Sequence, residues 1–197
     1  MEHYFTNNEA LKSELRIIDY SYKDYSFRFN SDNGVFSKNK IDFGSKLLVE
    51  IFLEQNEEKI ESLLDVGCGY GFMGIVLSKV LDVKATLIDV NKRAVHLTKM
   101  NGKDNNVDIE TYVSDVYENV QNKYDLILTN PPIRAGKQIV LKILNEAKEY
   151  LNKNGSLWFV IRKDQGAKSI VKELEKNYKI ENLKKDKGFS IFRAKSN

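Results

Sequence analysis

Strand-like and helix-like segments take turns along most of this chain, and that alternation restricts its fold more than any other feature. From Asp42 or Gly44 onward, Leu47, Leu48, Ile51 and Phe52 recur at helical spacing. β-rich runs follow at 62–66, 85–89, 109–113, 124–129 and 156–161, and the patterns between and after them predict helices over about 71–80, 92–100, 137–151 and 167–176. Strands separated by helices pair in parallel, with the helices crossing over on both faces. The last two runs, 180–184 and 189–194, are joined only by Asp186-Lys187-Gly188. That link is too short for a helix, so the final strand is expected to enter antiparallel. The expected fold is α/β and Rossmann-like, with a seven-stranded, mostly parallel sheet.

Ahead of this repeat, Tyr25-Ser-Phe-Arg-Phe29 alternates as a short strand and Ser31-Asp-Asn-Gly34 reads as a turn. Residues 1–40 are therefore expected to be an extension packed on the core, and 41–197 one domain. Hydrophobic residues make up 42% and charged residues 30%, which argues against long disorder. No apolar run approaches the roughly 20 residues of a membrane span and the start lacks a signal-peptide pattern, so a cytoplasmic protein is expected. One cysteine, Cys68, excludes an internal disulfide, and two scattered histidines, His3 and His96, argue against a metal centre. The net charge of +3 permits a nucleic-acid partner without requiring one.

Two motifs carry the chemistry. The chain's only two prolines follow Asn130 directly, at the end of the run Asp125-Leu-Ile-Leu-Thr-Asn130. Proline fixes its own φ and restricts its predecessor, so Asn130 and the Pro131 carbonyl are expected to be held rigidly at a strand end. Two fixed oxygen acceptors suit an NH2 group. Upstream, Asp65-Val-Gly67-Cys-Gly69-Tyr-Gly71 runs from a strand into a glycine turn, and Gly69, Gly71 and Gly74 form a G-x-G-x-x-G pattern. That pattern alone also occurs in dinucleotide oxidoreductases. The acid two residues before the first glycine would repel a pyrophosphate, whereas the ammonium of S-adenosylmethionine would attract it. Asp89, 18 residues after Gly71, stands where an acid takes ribose hydroxyls, and Asp115 stands where the adenine amine would lie. Any one strand-end aspartate could instead cap a helix.

With Asn130-Pro131-Pro132-Ile133, the glycine motif resembles the S-adenosylmethionine-dependent methyltransferases that act on amino or amide nitrogens. More narrowly, Ser31-Asp-Asn-Gly-Val-Phe-Ser37, Asp42-Phe-Gly-Ser45, Asn130-Pro-Pro-Ile-Arg-Ala-Gly-Lys137 and Asp186-Lys-Gly-Phe-Ser190 resemble the small-domain family related to the ribosomal small-subunit RNA guanine-N2 methyltransferase. The resemblance implies a class I methyltransferase fold, S-adenosylmethionine as cofactor, and ribosomal RNA or a ribosomal subunit as partner. It implies that Asn130, Pro131 and Pro132 are catalytic, with Asp65, Gly67, Gly69, Gly71, Asp89 and Asp115 at the cofactor. Ile133 departs from the aromatic often found there to stack on the target base, a contact worth roughly 1 to 3 kcal/mol, and Phe36 is the candidate substitute. Arg134 and Lys137 are placed to meet an RNA phosphate. The family's two-domain members carry a further domain ahead of the catalytic one, and 197 residues accommodate the catalytic part. Alternatives are another amino substrate (DNA adenine, a protein glutamine or a small metabolite) or a non-catalytic cofactor- or RNA-binding module.

Overall fold

Leu63, Leu64, Asp65 and Val66 are all buried, leaving this segment no solvent face. Such a strand belongs in the middle of a sheet covered on both sides. In the computed structural model, which describes residues 11–197, it does. β1 (Arg16–Tyr22) and β2 (Tyr25–Ser31) form an antiparallel hairpin, followed by α1 (Phe43–Gln55) and then the central strand β3 (Ser62–Val66). The chain continues through α2 (Phe72–Leu81), β4 (Lys84–Asp89), α3 (Lys92–Asp104), β5 (Ile109–Val113) and β6 (Tyr124–Thr129). It closes with α4 (Lys137–Glu146), β7 (Leu151–Arg162), α5 (Ala167–Leu174), β8 (Tyr178–Asp186) and β9 (Phe189–Ser196).

The main sheet has the order β5-β4-β3-β6-β7-β9-β8, and β9 alone runs antiparallel to its two neighbours. Successive residues of each strand feed opposite cores. Leu63, Leu126, Leu128, Trp158 and Val160 pack with the hairpin and with α1, α2 and α3. On the other face, Leu64, Ile127, Leu157, Phe159 and Ile161 pack with α4 and α5. Trp158 is fully buried and meets Phe52 of α1 edge-on, with ring centroids 4.8 Å apart.

The chain leaves β3 toward β4 on one side and returns through β6 on the other. Strand order therefore reverses between β3 and β6, and the carboxyl ends of those strands flank the crevice where open α/β sheets bind ligands.

Three elements differ most from the sequence expectation. The helix expected to reach 151 ends at Glu146, and Ala147–Tyr150 tightens into a 3-10 turn. Leu151 then already pairs with Tyr124, and the register jumps so that Ser156 faces Leu126. The intervening residues form an irregular bulge within β7, which hides the strand's beginning from a periodicity argument. β1 escaped the sequence reading because its turn, Lys23-Asp24, has no glycine, although Lys23 adopts φ 47°. The first ten residues of the expected extension, His3 among them, lie outside the described residues.

Candidate active site

The turn after β3 is held by its backbone and its neighbours. The N–H groups of Gly67 and Cys68 both donate to the Ile88 carbonyl, at 2.9 and 3.0 Å, and the Gly71 N–H donates to the Cys68 carbonyl. The Thr98 hydroxyl donates to the Gly69 carbonyl at 2.9 Å, and the Asn101 amide donates to the Tyr70 carbonyl at 2.8 Å. Gly67, Gly69 and Gly71 have φ of 73°, 58° and 89°, a region L side chains rarely adopt. A Cβ on Gly67 or Gly69 would meet no protein atom within 4 Å, so the space beside them is open.

That space is a cavity of about 320 Å³ at the sheet's switch point, which falls within the range of small-ligand pockets. Its walls include Gly67, Gly69, Asp89, Asp115, Asn130 and Phe36, with Pro131 and Pro132 at the same wall as Asn130. A smaller recess shares Phe36, Gly67, Gly69 and Asn130 with it and adds Asp42, Ser45 and Tyr70.

The three aspartates named from the sequence divide. Asp89 lines the cavity, and its carboxylate accepts from the N–H of Gly69 at 2.9 Å and of Asn91 at 2.8 Å. Burial pushes its carboxyl up to about 6. Asp115 stands exposed at the rim. Asp65 is not among the lining residues. It is buried behind the turn, where Oδ2 accepts the Gly74 N–H at 2.9 Å in the first turn of α2, the capping role open to any strand-end aspartate. Oδ1 of Asp65 has no hydrogen-bond partner, and burial, with the charge of Asp89 adding, raises this carboxyl to about 7.

After Asp115, Val116 lines the cavity with φ 52°, an unfavourable region for a β-branched side chain, costing about 1 to 3 kcal/mol. The Ser114 hydroxyl donates to the Val116 carbonyl at 3.0 Å and so helps hold this turn.

Asn130 follows β6, whose last residue, Thr129, donates its hydroxyl to the Val66 carbonyl at 2.8 Å and ties the two strand ends together. The Asn130 side-chain NH2 donates to Asp42 Oδ2 at 3.0 Å and to Ser45 Oγ at 2.9 Å. Both amide hydrogens are thereby engaged, and Oδ1 is left as the acceptor. Sequence reasoning took Asp42 as the start of α1 and assigned it no part in the site; the tertiary approach of residues 88 apart supplies that part. Ile133, in a 3-10 turn over Ile133–Ala135, packs against the α4 and α5 core and does not line the cavity. Arg134 and Lys137 are exposed on either side of Gly136, near the cavity wall made by Ala135 and Ile139.

A seven-stranded sheet with one antiparallel strand, a glycine turn after its central strand and an acid closing the next strand define a Rossmann-like class I methyltransferase fold. Comparison with known proteins agrees. The "Methyltransferase small domain" family model matches residues 26–193, and the chain belongs to that family. It is 42% identical to an uncharacterized protein, YbxB, of Bacillus subtilis (strain 168), over 98% of each chain. It is 34% identical to the ribosomal RNA small subunit methyltransferase C of Serratia proteamaculans, over 76% of this chain and 44% of that protein. The chain thus spans less than half the length of that relative. In three dimensions it superimposes on a T. thermophilus 16S rRNA N2 methyltransferase in complex with AdoMet and guanosine, with a TM-score of 0.84 and 23% identity, covering 95% of this chain and 52% of that one. A ribosomal protein L11 methylase of Lactobacillus delbrueckii matches with a TM-score of 0.69 and 20% identity over 82% and 87% of the two chains. Among the described residues no helix is long and apolar enough to cross a membrane.

Proposed function

We propose that this protein is an S-adenosylmethionine-dependent N-methyltransferase whose target is the exocyclic N2 amine of a guanine in RNA, ribosomal RNA foremost. The observation that carries the reading is Asn130, whose NH2 is turned to Asp42 and Ser45 so that Oδ1 remains to accept a hydrogen bond from an amine. The residues suit the cofactor: an open cavity beside two positive-φ glycines, with Asp89 at its wall and Asp115 at its rim. Gly67 and Gly69 admit the ligand against the backbone, Asp89 takes ribose hydroxyls and Asp115 the adenine amine. Asp65 keeps the glycine turn docked on α2.

S-adenosylmethionine, held by Gly67, Gly69, Asp89 and Asp115, would supply an electrophilic methyl group on a sulfonium and would leave as a neutral thioether. The remaining work belongs to this chain. An aryl amine is a weak nucleophile because its lone pair is delocalised into the ring; accepting its N–H bonds at Asn130 Oδ1 and the Pro131 carbonyl frees that pair. The same oxygens stabilise positive charge developing on nitrogen, and the proton then lost passes to solvent without a strong base. Pro131 and Pro132 hold the acceptors still, a contribution of position. Phe36, at the wall shared with Asn130, serves as the stacking ring that Ile133 does not provide, and Arg134 and Lys137 take RNA phosphates.

The names of the curated relatives and of the superimposed complex support RNA as substrate, guanine more narrowly. Ile133, packed against the α4 and α5 core and absent from the cavity lining where an aromatic would be sought, favours a second reading, a protein or metabolite amine. The test incubates the protein and its Asn130→Ala variant with labelled S-adenosylmethionine and ribosomal subunits from cells lacking the gene, followed by nucleoside mass analysis. N2-methylguanosine should appear with the wild type only, while cofactor binding survives in the variant. Unlabelled RNA despite tight cofactor binding would refute the RNA reading.

A further inference from the structure

The two acceptors that hold Asn130 lie outside the motif to which it belongs, at the start of α1. Asp42 is the N-cap of that helix, and its Oδ2 accepts the Ser45 backbone N–H at 2.8 Å as well as the Asn130 NH2 at 3.0 Å. Ser45 Oγ takes the second amide hydrogen at 2.9 Å. An ionised carboxylate only accepts, so the nitrogen end of the amide must face it. The flipped amide would set two oxygen acceptors against each other.

The start of α1 is itself immobilised. Phe43 contacts Phe189 of β9 with centroids 5.5 Å apart. A Cβ on Gly44 would come within 2.8 Å of the Phe189 ring, so glycine alone permits that approach. Leu47, Leu48, Ile51 and Phe52 then anchor the helix in the core.

Resting on the methyltransferase reading above, we propose that Asp42 is a positioning residue for methyl transfer and that Ser45 assists it. Asp42 locks the Asn130 amide with Oδ1 toward the target amine. Its negative charge, passed through the amide by a charge-assisted hydrogen bond, strengthens Oδ1 as an acceptor while positive charge grows on the target nitrogen. A helix cap and a catalytic amide thus share one carboxylate oxygen, and the capping role alone would require no charge.

That difference makes the proposal testable. Asparagine is as good an N-cap as aspartate, and its side-chain oxygen can accept both bonds now made by Oδ2, so Asp42→Asn removes little but the charge. With the RNA that the wild type methylates, Asp42→Asn should lower kcat about tenfold, the difference between a charged and a neutral hydrogen bond. Its KM, its affinity for S-adenosylmethionine and its Tm should stay near wild type. Asp42→Ala should lose about a further tenfold, and Ser45→Ala, which keeps the capping carboxylate, should lose less. Independently of activity, the Asn130 side-chain NH2 signals in 15N-asparagine-labelled protein should be sharp and shifted in the wild type and in Asp42→Asn, and collapse toward free-amide values in Asp42→Ala. An Asp42→Asn variant with wild-type kcat would overturn the electrostatic role. Unchanged Asn130 amide signals in Asp42→Ala would overturn the positioning role. A wild type that methylates nothing would refute the functional reading instead, and the amide signals would still decide the positioning.

Discussion

Asp65 and Asp89 end neighbouring strands and look interchangeable in the sequence, yet they do different work. Asp89 faces the cavity with both oxygens on backbone N–H groups, whereas Asp65 is sealed behind the turn with one oxygen unpartnered. Burial lifts Asp65 to about 7, above its ordinary value, so the folded protein holds this proton more tightly than the unfolded chain. Its contribution to stability is complete below about pH 4 and is lost as the pH rises through about 7. Asp89, raised to about 6, acts in the same direction. Asp32 and Asp125 are shifted down by hydrogen bonds, and their opposite effect falls in more acidic solution, outside this window. Thermal melts should therefore show Tm falling from pH 5 to pH 8. In Asp65→Asn, whose side-chain oxygen can still accept the Gly74 N–H, that fall should be shallower. A variant with the wild-type slope would assign the pH dependence to other groups.

At the level of elements, the glycine turn separates shape from space. Gly71 has φ 89°, and a Cβ there would lie 2.9 Å from Ile75 and 3.0 Å from Thr98. Gly67 has φ 73° but faces open cavity. Gly71→Ala should combine backbone strain with overpacking and cost about 2 to 4 kcal/mol in urea denaturation. Gly67→Ala should cost only the strain, about 1 to 2 kcal/mol, yet weaken cofactor binding in calorimetry more than Gly71→Ala does. The reverse ranking in binding would mean that the cofactor does not approach Gly67. The two glycines look alike in the sequence because the φ they share is a local property. Of the atoms a Cβ on Gly71 would strike, those of Ile75 lie one turn along the helix that Gly71 caps, whereas those of Thr98 come from α3, and only packing brings them near.

Over the whole molecule, the hairpin of β1 and β2 is bound to the methyltransferase sheet through α3, and the device is a pair of asparagines one helical turn apart. The Asn101 side chain accepts from the Asn30 N–H at 2.7 Å and donates to the Asn30 carbonyl at 2.9 Å. Asn105 does the same for Arg28, at 3.0 and 2.8 Å. Each amide stands in for a neighbouring strand along the outer edge of β2. Asn101 is fully buried and also holds the Tyr70 carbonyl, so the hairpin and the glycine turn share one side chain. Asn101→Ala should cost about 2 to 3 kcal/mol by leaving buried backbone groups unpaired. By hydrogen exchange the Asn30 amide should lose protection while the Arg28 amide, bonded to Asn105, keeps it; equal loss at both would mean that the hairpin releases as a unit. The sequence by itself determined the alternation of strands and helices, the antiparallel closing strand, the glycine turn and the end of β6 at Asn130-Pro-Pro, because each follows from periodicity or from φ restrictions within a few residues. It missed β1, carried the helix of α4 on to 151, and put Asp65 at the cofactor, whereas this side chain caps α2 behind the turn. Only the tertiary structure decided which aspartates share the cavity and that Asp42 grips Asn130, because those contacts join residues remote in sequence whose directions are set by the twist and packing of the sheet.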